Sequence, residues 1–424
     1  MKVLLLGSGG REHALARALS RSPSLTRLLI LPGNDGMAHE GQRVTDIALT
    51  DHAAILAFCR QEAIDLVVVG PEAPLVAGLA DDLAAAGFAV FGPSKAAAQL
   101  EGSKDFTKSV CNAAGIPTAA YATFTDHAGA LAYLRAKGAP IVVKYDGLMA
   151  GKGVTVAASL SEAEEAIAAL YANEPAAKVV IEEMMEGEEA SYFCLIDGET
   201  VVPFGSAQDH KRVFDNDRGP NTGGMGAYSP APVFTAALEA ETLARIVRPT
   251  ALEMVKRGMA YRGVLFAGLM LTAEGPKLIE YNCRFGDPEC QALMLRFEGD
   301  LVQVLAAAAR GKLASVQVAL QPAHAVGIVM AAKGYPGDYA RGSVIRGLDK
   351  AAALPGVTIF HAGTKHVDGA VTSHGGRVLT VCATGNSLLD ARNRAYAAVA
   401  AIDWPEGFCR RDIAARGLAR LGQA

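Results

Sequence analysis

The chain has 424 residues, enough for two to four domains. Hydrophobic residues make up 51% of it, charged residues 20%, and the formal net charge is −4, which excludes bulk binding to nucleic acid or an anionic membrane surface while leaving room for a local basic pocket. Seven scattered cysteines, none in C-x-x-C spacing, exclude a disulfide framework and a cysteine zinc site, and read as reduced thiols of a cytoplasmic enzyme.

The apolar run at residues 3–6 is too short for a secretory h-region or a membrane span and reads as a buried strand. Further strands at 28–31, 65–69 and 89–91 alternate with helical stretches at 11–20, near 51–62 and before 89. This alternation predicts a doubly wound parallel sheet with helices on both faces. Ligands of such sheets bind at the carboxyl ends of the strands, here the loops 7–10, 32–34 and 70–72. Gly92-Pro93-Ser94 closes the unit, with Ser94 placed to cap a helix starting at Lys95. A second α/β region has strands at 141–144, 154–157, 179–182 and 191–196 around a helix at 161–171, and reads as a small mobile subdomain. Residues 200–325 mix strands at 264–271 and 277–281 with helices at 236–257 and 288–310. The last hundred residues read as an α+β unit, with strands at 325–331, 357–361 and 378–383 and a helix near 388–402.

Five segments carry chemistry. Gly7-Ser8-Gly9-Gly10-Arg11-Glu12-His13 lies between a strand and a helix, where free amides at Gly9 and Gly10 can hold a phosphate. Glu12 stands where a dinucleotide fingerprint needs glycine, which speaks against a nicotinamide site; the bland alternative is a tight turn. The stretch from Lys144 to Val154 ends one strand and begins the next across Gly147, Gly151 and Gly153. Such a hairpin can fold over a polyphosphate, with amides and Lys152 meeting its oxygens. It is not a Walker A loop, because Gly153 occupies the hydroxyl position. Lys104 is a second cation of this kind, and alone would be a solvated helix residue.

The third segment, 179–189, joins an apolar strand to carboxylates, as a purine slot with a ribose partner requires; alone it would be an acidic turn. Next, Gln208-Asp209-His210-Lys211-Arg212 is followed by a second glycine-rich loop at 219–227, a combination suited to a zwitterion beside a phosphate. Last, strand alternation at 278–288 places Glu280, Asn282 and Arg284 on one face. The first two are hard oxygen ligands for Mg2+, and the third can meet a carboxylate or acyl phosphate.

In this order the segments resemble the ATP-grasp superfamily. Their wording resembles the phosphoribosylamine–glycine ligase family, also called glycinamide ribonucleotide synthetases. The matching stretches are GSGGREHA, GPE at 70–72, LEGSKDF, DGLMAGKGV, QDHKR, GPNTGGMGAYSPAP, AGLMLT, NCRFGDPE, GYPG, HAGT and GGRVL, which span essentially the whole chain. The resemblance implies an α/β fold: an N-terminal doubly wound parallel-sheet domain (1–102), central ATP-grasp domains (103–325) with a mobile lid at about 122–192, and a C-terminal α+β domain (326–424). It implies ATP and Mg2+ or Mn2+, glycine and 5-phosphoribosylamine as small-molecule substrates, no nucleic acid or membrane partner, and a cytoplasmic monomer.

Carried over by residue, Lys104 and Lys144 contact ATP phosphates, and Gly151, Lys152 and Gly153 close over them. Glu182, Glu183 and Met185 line the adenine slot, and Glu189 takes the ribose. Glu280 and Asn282 hold the metal. Arg284 and Lys211 stabilise the acyl phosphate, and Asp209 meets the ammonium of glycine. Gly9 and Gly10, with Arg377 as an alternative, meet the sugar phosphate, and Gly223 and Gly224 belong to the substrate loop. Tyr145 and Tyr281 depart from the family wording, which has alanine and phenylalanine there. The rival readings are another ATP-grasp ligase, a nicotinamide oxidoreductase and a non-catalytic nucleotide sensor.

Overall fold

The computed structural model describes residues 1–148 and 153–423. At its N-terminus, five parallel strands run in the spatial order Gln42–Arg43, Arg27–Pro32, Lys2–Gly7, Leu66–Val69, Val90–Phe91. Leu4, Leu6, Leu29, Leu31, Val67 and Val69 feed one core while Val3, Leu5, Leu28, Ile30, Leu66 and Val68 feed another, so both faces are covered. That explains the unbroken apolar runs in the sequence. The strand order reverses between Lys2–Gly7 and Leu66–Val69, which puts the crevice of the sheet between their two following loops.

Ser94 does accept a hydrogen bond from the amide of Ala97 at 3.3 Å, but residues 95–98 form turns and the helix begins only at Gln99. The next helix, Lys104–Ala114, is capped by Ser103, whose Oγ accepts from Phe106 at 3.1 Å. The lid is an antiparallel sheet in the order Tyr121–Phe124, Val179–Glu183, Ile141–Tyr145, Val154–Ala157, with helices His127–Lys137 and Leu160–Asn173 packed on it. It has its own core of Leu134, Ile141, Val143, Ile167, Val179 and Ile181.

The largest sheet is antiparallel and runs Gly275–Asn282, Arg262–Thr272, Glu188–Asp197, Thr200–Asp209, Gly226–Ser229, His324–Ala332, Arg377–Gly385, Val357–His361. Gly226–Ser229 pairs with Thr200–Asp209 on one side and His324–Ala332 on the other, so central and C-terminal strands share one sheet. The helix Leu388–Ala401 covers the C-terminal strands through Leu388, Ala391, Ala395 and Ala398. A three-stranded sheet of Val344–Ile345, Ala370–Ser373 and Thr364–Val367 completes the α+β unit.

One expected helix is continuous and the other is broken. The stretch 236–257 is helical from Ala236 to Lys256, with a π-helical widening at Leu243–Val247 just before Pro249, whose missing amide cannot continue the regular ladder. The stretch 288–310 divides into Glu289–Arg296 and Leu301–Ala309. Phe297–Glu298 leaves the helix to pair with Ala319–Leu320, Gly299 takes φ +108°, and Asp300 caps the second piece. Among the described residues no helix is long and apolar enough to cross a membrane.

Candidate active site

The lid, the N-terminal domain and the large sheet enclose a cleft of about 680 Å³. On its lid side, strand register sets Lys144 opposite Val180 and Val142 opposite Glu182, which makes Lys144 and Glu182 diagonal neighbours on one face. Lys144 Nζ pairs with Glu182 Oε2 at 2.8 Å, and Lys108 Nζ approaches Glu182 Oε1 at 3.3 Å. All three residues are at most 4% exposed, so the carboxylate is held by two lysines in a dry setting. Glu183 points elsewhere, its Oε1 accepting from the amide of Ala120 at 3.0 Å where the lid joins the body. Met184 and Met185 border the cleft with Glu182 and Glu183, as an adenine slot requires.

Lys104 Nζ donates to the carbonyl of Gly147 at 3.0 Å, and burial lowers its pKa. The Asp146 carboxylate accepts from the amides of Lys104 at 2.5 Å and Asp105 at 3.2 Å, and from Ser103 Oγ at 3.1 Å. A lid loop is thereby fastened to the N-terminus of a body helix, where the helix dipole favours a negative charge. Gly153 borders the cleft beside Val154. Gly151 and Lys152 lie outside the described residues.

Across from the lid, Glu280 and Asn282 end the strand Gly275–Asn282 and border the cleft. Among the described residues neither side chain has a hydrogen-bond or ion-pair partner, which leaves their oxygens free toward the cleft. Two hard oxygens suit Mg2+ or Mn2+ shared with phosphates, and no group of three or more potential metal-binding side chains occurs among the described residues. Arg284 follows just beyond the strand. Its Nε reaches Glu72 Oε2 at 3.3 Å and its Nη2 reaches Glu101 Oε1 at 3.1 Å, so it ties the N-terminal domain to the metal-side strand. Tyr281 points the other way, into the core, with its hydroxyl 2.6 Å from Thr250 Oγ1. Tyr145 spends its hydroxyl on Glu174 at 2.7 Å. Neither departure from the family wording places its hydroxyl at the cleft's charged groups.

The third wall carries Asp209, Lys211 and Glu189. Lys211 pairs with Glu189. Burial works to lower the Lys211 pKa, but Glu189, Asp209 and Glu280 outweigh it and raise it above the usual lysine value. Burial and then the charge of Glu189 raise Asp209. Arg377 donates to the carbonyls of Gly223 at 2.8 Å and Asp287 at 2.6 Å. A Cβ on Gly223 would lie 2.9 Å from that guanidinium, and one on Gly224, at φ +114°, would lie 2.5 Å from Pro288. These glycines let the loop close onto Arg377 and Pro288.

The N-terminal glycine loop departs from its expected form. The Glu12 carboxylate fills the crevice between the two strands: the amide of Gly9 donates to Glu12 Oε2 at 2.7 Å, and a Cβ on Gly7 or Gly70 would meet Glu12 at 2.4 or 2.3 Å. Arg11 balances it, with Nε 2.5 Å from Glu12 Oε1. The glycines therefore admit an internal carboxylate, and the amide of Gly9 is engaged by the protein itself. Gly10 is buried against Gln291 and Thr380.

Sequence reasoning missed Lys108, Asp146, Arg11, Glu72, Glu101 and Glu289, all but Asp146 lining the cleft. Lys108 sits one helical turn after Lys104, a spacing that would have pointed to the same face.

Three descriptions of one family match the chain in order: phosphoribosylglycinamide synthetase N domain over residues 1–101, its ATP-grasp (A) domain over 102–290 and its C domain over 325–416. The chain belongs to the phosphoribosylglycinamide synthetase family. The phosphoribosylamine–glycine ligase of Mesorhizobium japonicum is 58% identical over 423 residues, 99% of each chain. The chloroplastic phosphoribosylamine–glycine ligase of Arabidopsis thaliana is 53% identical, covering 96% of this chain and 79% of that one. The crystal structure of phosphoribosylamine–glycine ligase from Thermotoga maritima superimposes with a TM-score of 0.84 at 32% identity, over 97% of this chain and all of that one. The biotin carboxylase domain of Hydrogenobacter thermophilus 2-oxoglutarate carboxylase shares the fold of the family, with a TM-score of 0.73 at 16% identity over 96% of this chain and 91% of that one.

Proposed function

We infer that the chain is a phosphoribosylamine–glycine ligase that joins glycine to 5-phosphoribosylamine with ATP, giving glycinamide ribonucleotide, ADP and phosphate, a step of purine biosynthesis. The observation that carries this reading at the site is the meeting of Lys144 and Lys104, the free oxygens of Glu280 and Asn282, and Arg284 on one enclosed cleft. A carboxylate is a poor electrophile. An oxygen of the glycine carboxylate attacks the γ-phosphorus of ATP, the bridging P–O bond breaks, and ADP leaves. The amine of phosphoribosylamine then attacks the acyl carbon, the C–O bond to phosphate breaks, and the amine gives up a proton.

Lys104 and Lys144 hold the phosphates, with Gly151, Lys152 and Gly153 closing over them, and Glu182, Glu183 and Met185 line the adenine. Glu189 takes the ribose hydroxyls, giving up part of its pairing with Lys211. Glu280 and Asn282 hold Mg2+ or Mn2+, which when bound offsets charge on the transferring phosphoryl group. Arg284 and Lys211 stabilise the acyl phosphate, and Asp209 meets the ammonium of glycine. The sugar amine lies on the N-terminal side of the cleft, among Gly9, Gly10, Gly223, Gly224 and Arg377. Closure of the lid keeps water from the acyl phosphate. The cysteines, all free among the described residues, support a cytoplasmic setting.

The test is a coupled assay for ADP with glycine and freshly made phosphoribosylamine, run beside bicarbonate and formate. Release of ADP that requires both glycine and the sugar amine is expected. Release with bicarbonate or formate instead would assign another ATP-grasp reaction, and none at all would refute the reading.

A further inference from the structure

The backbone that carries Lys211 is held from the far end of the sequence. Lys211 lies just past the strand Thr200–Asp209 and just before the hairpin of Arg212–Phe214 and Arg218–Asn221. Its own carbonyl accepts from the amide and the hydroxyl of Thr222, each at 2.8 Å. Carbonyls on either side go to arginines of the C-terminal unit. That of Asp209 accepts from Arg416 Nη2 at 3.0 Å, and that of Arg212 accepts from Arg410 Nη1 at 2.9 Å. Arg410 is 1% exposed and lies behind the cleft wall, outside the residues that border the cleft. Its Nη1 also meets Asp217 Oδ1 at 2.9 Å, while Nε and Nη2 donate to the two oxygens of Asp412 at 2.7 and 2.6 Å. The amide of Asn216 donates to the same Asp412 carboxylate at 2.8 Å, and the amide of Arg411 to Asp215 Oδ1 at 2.7 Å. The turn gripped in this way is strained: Asn216 and Asp217 take φ +58° and +51° in succession. Successive residues with side chains keep that conformation where their surroundings impose it. The gripping segment is itself fixed, because Gly407–Phe408 pairs with the end of the strand His324–Ala332.

We propose that Arg410 is a positioning residue for the ligation chemistry: by fixing the carbonyl of Arg212 and the turn beyond it, Arg410 sets where the Lys211 ammonium stands in the cleft. The proposal rests on the ligase reading above and on the role given there to Lys211. A guanidinium suits this task because one planar group donates in three directions, to a main-chain carbonyl and to two carboxylates. A lysine would bring the same charge with its donors on a single atom, and could not span all three acceptors. Lys211 needs the support because its side-chain partner is shared. Its ammonium pairs with Glu189, and when Glu189 turns to the ribose hydroxyls that tether weakens. The backbone then decides where the ammonium points. A displacement of about 1 Å at a group that meets the transferring phosphoryl costs on the order of a hundredfold in rate.

The experiment measures steady-state ADP release with glycine and 5-phosphoribosylamine in the wild-type chain, Arg410→Lys and Asp412→Asn. Arg410→Lys is expected to lower kcat about a hundredfold with the KM for ATP within about threefold, since Lys104, Lys144 and the lid are untouched. Asp412→Asn changes no residue that borders the cleft and keeps the guanidinium, and about a tenfold fall in kcat at constant KM for ATP is expected from it. A residue that only holds the fold would lower the unfolding midpoint and leave the turnover of the folded protein unchanged. Thermal unfolding is therefore followed on the same samples, and turnover is read well below each variant's own midpoint. Single turnovers with enzyme in excess complete a cycle with Lys211→Met. Arg410→Lys should add less than about threefold to the loss that Lys211→Met causes alone, because both act through one ammonium. Should Arg410→Lys fail to fold, Asp412→Asn supplies the same readings. A kcat within about threefold of wild type in the folded variants, a rise in the KM for ATP as large as the fall in kcat, or a full loss added on top of Lys211→Met would each overturn the positioning role. Wild-type protein that releases no ADP with glycine and sugar amine would instead overturn the ligase reading itself.

Discussion

Replacing Lys108 by methionine tests whether the buried charge network holds the lid sheet in place. Lys108 Nζ lies 3.3 Å from Glu182 Oε1, 2.8 Å from Thr118 Oγ1 and 3.2 Å from the carbonyl of Ala119. Thr118 in turn donates to the carbonyl of Leu278, on the strand that carries Glu280. One ammonium thus joins the lid strand Val179–Glu183, the linker into the lid and the metal-side strand. Methionine keeps much of the volume and none of the charge. Breaking a buried ion pair by removing one partner costs about 3–5 kcal/mol. Because Lys144 remains on Glu182 at 2.8 Å, the lower figure applies, about 3 kcal/mol. Amide hydrogen exchange at Val179–Glu183 reads this local opening directly, and about 3 kcal/mol corresponds to roughly a hundredfold loss of protection. The double variant Lys108→Met/Glu182→Gln should not regain that protection, because it leaves the buried Lys144 ammonium without the carboxylate it meets at 2.8 Å. Protection within about threefold of wild type in Lys108→Met would refute the argument that this lysine is structurally committed to Glu182.

Arg284→Ala should abolish ligation while ATP affinity stays within about threefold, because the proposed role of the guanidinium is on the acyl phosphate and not on the nucleotide. Turnover equal to wild type in the ADP assay would remove Arg284 from the chemistry. Asp146→Ala removes the carboxylate that accepts from the first amides of the Ser103-capped helix Lys104–Ala114 and frees the lid loop; the loss of these charge-assisted bonds, about 1–2 kcal/mol, should appear as faster limited proteolysis within the lid and about a tenfold higher KM for ATP. Unchanged cleavage rates would show that the latch does not hold the lid. Stability should fall on acidification through three histidines, His13 and His210 buried and His361 half-buried. Burial first, and then neighbouring charge, depress His13 to about 3, His210 to about 3 and His361 to about 4. A depressed histidine contributes stability that is present above its unfolded value of about 6.5 and is lost as pH falls toward its folded value, at about 1.4 kcal/mol per pH unit for each group. His361→Asn should therefore flatten the fall in the unfolding midpoint between pH 6.5 and 4.5, and a slope equal to wild type would contradict the burial argument.

The local patterns legible in the chain were those whose cause is local. Strand 3–6 announces itself because a parallel strand covered on both faces is apolar along its length, and Val357–His361, an edge strand of mixed sequence, has the expected limits. The large sheet was not legible as one object. Gly226–Ser229 is four residues long and fully buried, and it joins two halves of the chain through pairings nearly a hundred residues apart. No periodicity in its own sequence states that. The site was legible where wording is constrained by chemistry, as in Glu280, Asn282 and Arg284. Lys108 and Glu289 were not, because each sits on a helix whose sequence reads as ordinary, and only the register of the opposing strands shows what faces it.

Glu12 shows how one residue changes the meaning of a whole motif. A strand, a glycine turn and a helix make an anion site because the first amides of the helix lack partners. Here the anion is built in: the Glu12 carboxylate takes the amide of Gly9 and lies where Gly7 and Gly70 have no side chains. Arg11 then serves the internal carboxylate and, at 4.0 Å, Glu72, while Glu72 reaches Arg284 at 3.3 Å. The same logic recurs around the cleft, with Lys144 on Glu182, Lys211 on Glu189 and Arg284 on Glu101. Each of these cations, buried or half-exposed, meets a protein carboxylate before any phosphate arrives, which keeps the charges tolerable in the cleft. Among the described residues Lys104 is the exception at the phosphate end: its ammonium meets only the carbonyl of Gly147. A polyphosphate entering the cleft therefore gains most from Lys104, whose charge it need not share with an existing carboxylate partner. On the reading proposed above, the most negative end of the nucleotide would lie toward the unpaired Lys104 and its base toward Glu182.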